Sequence, residues 1–151
     1  MQVELHRVND RVHFRAQNAD GNTIEIDGAE RVGGEGAGFR PMQLALSALA
    51  SCSVMDLIPI LEKQRQSVDD VQIVASGERA DRTPSPFTSV NLHYVLTGEI
   101  DPQKARRAVE LALYKYCSVG EMLQATVTIT YSFEIRGTDG TVTAGGDGGA
   151  P

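Results

Sequence analysis

Pro41–Lys63 reads PMQLALSALASCSVMDLIPILEK, and between Met42 and Leu61 its single charged residue is Asp56. Proline suits a first helical turn, where its missing N–H is not needed, and the run of Leu, Ala and Met that follows propagates a helix. The stretch approaches the ~20 residues that cross a bilayer. Gln43, Ser47, Ser51, Ser53, Asp56 and Pro59 argue instead for a core helix, apolar nearly all round because it is surrounded. A small domain hardly encloses such a helix alone, so the expectation is no membrane and a second copy that helps to bury it.

Upstream, Gln2–Val8 and Arg11–Gln17 flank Asn9-Asp10 and predict a hairpin. Thr23–Asp27 follows the turn formers Asn18–Gly21 and predicts a third strand. Gly28–Phe39, ending GGEGAGF, predicts a mobile loop into the helix. Downstream, Val71–Gly77 and Ser89–Thr97 alternate as strands around the loop Ala80–Pro86. Asp101-Pro102 combines an N-cap with a favoured first helical residue. Ala105, Ala108, Val109, Ala112, Leu113 and Tyr116 then follow helical spacing, with Arg106 and Glu110 four apart on the wet side. Ser118–Glu121 forms a capping-box pattern for a short further helix, and Thr126–Arg136 predicts a last strand. The order βββ-α-ββ-α-α-β defines an α+β class with mostly antiparallel pairing.

The 151 residues suit one domain, and 41% hydrophobic with 23% charged residues is an ordinary globular composition. A net charge of −6 without a Lys/Arg cluster argues against a nucleic-acid partner, because phosphates are held mainly by basic side chains. The N-terminus MQVELHRVND has neither a basic nor an apolar leader region, so the expected compartment is the cytoplasm. Six of the fifteen glycines fall in the last fifteen residues. The expected division is therefore a domain over 1–136 and a glycine-rich disordered tail over 137–151.

Two cysteines carry the chemical interest. Cys52 lies in mid-helix with the small residues Ala45 and Ala48 and with Leu49 on its face, and Asp56 one turn beyond opposes thiolate formation. Arg40, just before the helix, is the sequence-local cation, more than two turns away; a long side chain or a partner subunit would have to close that gap. Cys117 stands immediately before the Ser118 cap, where the positive end of a helix and Lys115 favour a thiolate. The plainer reading makes both cysteines small core residues, and spacing does not show that positions 65 apart meet. His6, His13 and His93 show no metal-ligand spacing, no nucleophile elbow is present, and Gly33–Gly38 lacks the Lys-Ser/Thr of a phosphate loop.

The segments GGEGAGFRPMQLALSALASCSVMDLIPILEKQRQ, FTSVNLHYVLTG and KYCSVGEML together resemble the OsmC/Ohr family of osmotically inducible and organic hydroperoxide resistance proteins. The resemblance runs from about Gln2 to Arg136. It implies an OsmC-like fold in which antiparallel sheets wrap long central helices in an intertwined homodimer, with two sites at the subunit interface. It also implies thiol-dependent reduction of small hydrophobic organic hydroperoxides, with Cys52 as the attacking thiolate, Cys117 as the resolving one, no bound cofactor, and an external dithiol reductant. The peroxidase branch has a glutamate ten residues before the cysteine, where this chain has Met42. It also uses an arginine of the N-terminal hairpin, and Arg7, Arg11 and Arg15 do not align cleanly with it. The wording of both cysteine segments is closer to the OsmC-like branch. An alternative role is a non-catalytic protein that binds a small hydrophobic or thiol-reactive ligand at the dimer interface.

Overall fold

In the computed structural model, which describes residues 1–150, the chain divides at Ala45/Leu46 into two units. The first begins with β1 (Val3–Arg7), β2 (Phe14–Asn18) and β3 (Thr23–Ile26), an antiparallel three-stranded sheet in that order. The expected hairpin forms, but β2 starts at Phe14 rather than Arg11. The Asn9 side-chain oxygen accepts from the N–H groups of Arg11 (2.9 Å) and His13 (3.2 Å), which commits Arg11–His13 to the turn. The loop after β3 is tied down rather than mobile. Phe39 bridges to Ile26, and the Asp27 carboxylate accepts from Gly28, Glu35 and Ala37 N–H at 2.7–3.0 Å. Gly34 is required there, because a Cβ would stand 2.0 Å from the Gly28 carbonyl oxygen.

Helix α1 (Pro41–Lys63) starts as the proline predicts, with Arg40 before it and the Gln43 side chain accepting from the Arg40 N–H at 2.9 Å. It ends in a Schellman turn: Gln66 N–H bonds Leu61 O, Arg65 N–H bonds Glu62 O, and Arg65 takes the left-handed φ of 59°. Leu49, Ser53, Leu57 and Leu61, four apart, form its buried stripe. Met55 and Ile58 lie exposed on its other side, so one chain covers only part of this helix.

The second unit contains the strands β4 (Asp70–Arg79), β5 (Phe87–Thr97), β6 (Thr128–Arg136) and β7 (Val142–Gly149), in that order across one sheet. Between β5 and β6 come α2 (Pro102–Leu111), a π-helical turn (Ala112–Tyr116) and α3 (Ser118–Leu123). Asp101 caps α2 as expected, accepting from Gln103 and Lys104 N–H at 2.9 and 3.0 Å. Val90, Leu92, Tyr94 and Leu96 of β5 stand beside Ile129, Tyr131, Phe133 and Ile135 of β6, giving one buried face. Ala105, Ala108, Val109, Ala112 and Leu113 are the buried stripe of α2 and its continuation.

The pairing is mostly antiparallel as expected. β5 and β6 are the parallel pair, because the helical crossover returns the chain to the end where β5 began. One expectation changes here. The glycine-rich segment is not a disordered tail within 137–150: Val142–Gly149 forms β7 and pairs antiparallel with β6, whose open edge offers a full row of backbone groups. Pro151 lies outside the described residues.

Candidate functional site

Cys52 is half-buried in the middle of α1, and Cys117 is 3% exposed at the junction of the π turn and α3. Both thiols are free, and Cys52 is near enough to bear on the ionisation of Cys117. The π turn decides where Cys117 points. Its N–H bonds Ala112 O at 3.0 Å, five residues back, and this wider turn ends the helix at an extended Cys117 with ψ 105°. Cys117 rather than Ser118 is then the N-cap of α3, its sulfur accepting from Gly120 N–H at 3.2 Å. On the other side the sulfur faces α1, 3.9 Å from the Leu49 carbonyl oxygen, one helical turn before Cys52.

Burial, above all, pushes the Cys117 thiol up to about 11, helped by the neighbouring Cys52, while Gly120 N–H pulls the other way. At neutral pH Cys117 is therefore a protonated thiol, placed to donate to the Leu49 carbonyl oxygen. Access divides the two into a reachable sulfur and a guarded one. Behind them, Tyr94 of β5 donates to Ser53 Oγ at 2.9 Å, and Ser53 donates to Ala50 O at 2.8 Å. The residue after Cys52 is thus pinned to the sheet. Burial raises the Tyr94 phenol beyond the ordinary tyrosine range, so it stays a donor.

Other candidates fall elsewhere. Arg40 belongs to the first unit, where with Arg11, Gly28, Glu30, Gly34, Glu35 and Gly36 it lines a cleft of about 550 Å³. Lys115, 5.4 Å over the Tyr116 ring, serves the protein surface rather than Cys117. Of the hairpin arginines, Arg7 bonds the carbonyls of Asp10 and Arg11, Arg15 pairs with Glu25 at 2.5 Å, and Arg11 lies 3.7 Å from Glu35. His6 and His13 pair with Glu4 and Glu25, and His93 with Ser132; among the described residues no three His, Cys, Asp or Glu side chains gather around a metal position. Sequence reasoning missed Gly120, Tyr94 and the π turn. Only a glycine three residues after Cys117 hinted at the first, and nothing in residue spacing announces a π turn.

Set against known proteins, residues 34–132 match the family described as OsmC-like protein. Protein YhfA of Escherichia coli (strain K12) is 39% identical over 123 residues, 81% of this chain and 89% of its own length. Among solved structures, a hypothetical protein from Aquifex aeolicus VF5 is 31% identical with a TM-score of 0.78, over 90% of this chain and 96% of the other. An organic hydroperoxide resistance protein OsmC from Legionella pneumophila, 22% identical over 87% of this chain and 94% of its own, shares the fold at a TM-score of 0.68.

Proposed function

This chain belongs to the OsmC-like protein family, and on that premise we propose that it reduces small apolar organic hydroperoxides through Cys52 and Cys117. The observation that supports the reading is a reachable thiol, Cys52, neighbouring a buried, protonated one, Cys117. The Cys52 thiolate attacks the terminal peroxide oxygen; the O–O bond breaks, and the alkoxide leaves as the alcohol after taking a proton. Cys52 is then a sulfenic acid. Cys117, deprotonated, attacks that sulfur, the S–S bond forms and water leaves. An external dithiol restores both thiols by exchange. In this scheme Arg40 assists from the other subunit of a homodimer. The apolar residues left bare on α1, Met55 at 73% and Ile58 at 38% exposed, support that homodimer; its proposed compartment is the cytoplasm.

The test is stoichiometric cumene hydroperoxide, with hydrogen peroxide alongside, on the wild type and on Cys52→Ser and Cys117→Ser. Intact mass should show loss of two hydrogens in the wild type, one added oxygen trapped at Cys52 in Cys117→Ser, and no oxidation at Cys117 in Cys52→Ser. Both thiols unmodified in the wild type would refute the reading.

A further inference from the structure

Strand β6, TITYSFEIR, is dense in β-branched and aromatic residues and carries charge only at Glu134 and Arg136. A bare edge of this kind is a template for another strand. Here β7 occupies it, in a ladder running from Thr130 opposite Gly149 to Arg136 opposite Val142. β7 follows the 34–132 segment that matches the family.

Apolar burial does not hold β7 in place. Val142 is 60% exposed, and the positions facing the buried side of the sheet, opposite Ile135, Phe133 and Tyr131, are Ala144, Gly146 and Gly148. Glycine inside a strand weakens it relative to alanine, so β7 is a poor strand by composition. Its berth is nonetheless shaped for those glycines. A Cβ on Gly146 would stand 2.6 Å from Arg106 Nη2 and 2.9 Å from the Phe133 ring; one on Gly148 would stand 2.6 Å from the Tyr131 hydroxyl. Arg106 Nη1 donates to the Asp147 carbonyl at 2.6 Å and sits 3.4 Å from the Tyr131 hydroxyl, which donates to Glu110 at 3.0 Å. The same guanidinium lies 5.9 Å from the Phe133 ring centre. One side chain of α2 thus clamps a strand otherwise held by its backbone ladder to β6 and by the Thr143 hydroxyl, which donates to the Ile135 carbonyl at 3.2 Å.

We propose that β7 is a detachable guard of the β6 edge, latched by Arg106, and that its release lets β6 pair edge to edge with β6 of a second copy. The sequence of β6 fits itself. Antiparallel pairing about Ser132 sets Tyr131 against Phe133, Ile129 against Ile135, Glu134 against Thr130 and Arg136 against Thr128, so no like charges meet.

In the wild type, hydrogen exchange should be at least tenfold faster at β7 amides than along the β4–β5 ladder. Full-length Gly146→Val should lose β7 protection and keep β6 protected, with a light-scattering mass that rises with concentration to twice that of the wild type. Adding Ser132→Lys, which sets two ammonium groups at the pairing axis, should restore the wild-type mass. Wild-type β7 amides as slow as those of β5 would overturn the proposal without recourse to any variant. So would a folded Gly146→Val protein with β7 released and an unchanged mass.

Discussion

The resolving step should be governed by the protonation of Cys117. With its thiol pushed up to about 11, the thiolate is roughly one molecule in 10⁴ at pH 7 and about one in 10² at pH 9. Disulfide closure after peroxide addition should therefore accelerate about 100-fold over those two pH units, since the thiolate is the nucleophile. Burial, the largest cause of the shift, persists when Cys52 becomes a sulfenic acid, although the part due to the Cys52 thiolate disappears. The slope thus holds across this range even if the midpoint falls somewhat. The assay is rapid mixing of reduced protein with one equivalent of cumene hydroperoxide, acid quenching, and intact mass. It separates the species with one added oxygen from the species lacking two hydrogens. A closure rate that is flat between pH 7 and pH 9 would mean that Cys117 is already ionised at neutral pH, and the reasoning from burial would be wrong.

Gly120→Ala places a Cβ 2.8 Å from the Leu113 carbonyl oxygen and 3.5 Å from the Cys117 sulfur. It should destabilise the fold by about 1–3 kcal/mol in urea titration and slow closure more than the first oxidation. Leu57→Ala, at a fully buried position of α1, should cost about 2–5 kcal/mol in the same titration. Ala37, Glu35 and Gly28 N–H groups hold the Asp27 carboxyl below the ordinary carboxylate range. Its contribution is present above the unfolded value, near ~4, and is lost as pH falls through the lower folded value. Asp27→Asn should accordingly speed exchange of the Glu35 and Ala37 amides at pH 7 and flatten the acid dependence seen in the wild type. Cys117 and Tyr94 act in the opposite direction: both are raised in the folded state, so their contributions are complete below the unfolded values and fade as pH rises above about 9. Urea midpoints should fall from pH 8 to pH 10, and less steeply in Tyr94→Phe.

Much of the fold is local, and local features are what residue order expresses. Pro41 opening α1, Asp101 capping α2, the alternation along β5 and the turn at Asn18–Gly21 each act over a few residues, and each element forms where its own chemistry demands. β7 was illegible for the opposite reason. Nothing in AGGDGG favours a strand; the β6 edge and the Arg106 clamp, more than thirty positions upstream in the case of the arginine, make it one. The parallel pairing of β5 and β6 likewise follows from where a crossover lands rather than from either strand.

The candidate site divides along the same line. Residue order alone singled out two cysteines, their helical settings and a family pattern around each. It did not say which sulfur is guarded. Tertiary structure decided that: a π turn swings Cys117 out of α2's line and against the turn of α1 that holds Leu49, where burial keeps it protonated and Gly120 N–H holds its sulfur. A thiol's ionisation depends on the dielectric and the donors around it, and those are supplied by residues from other parts of the chain.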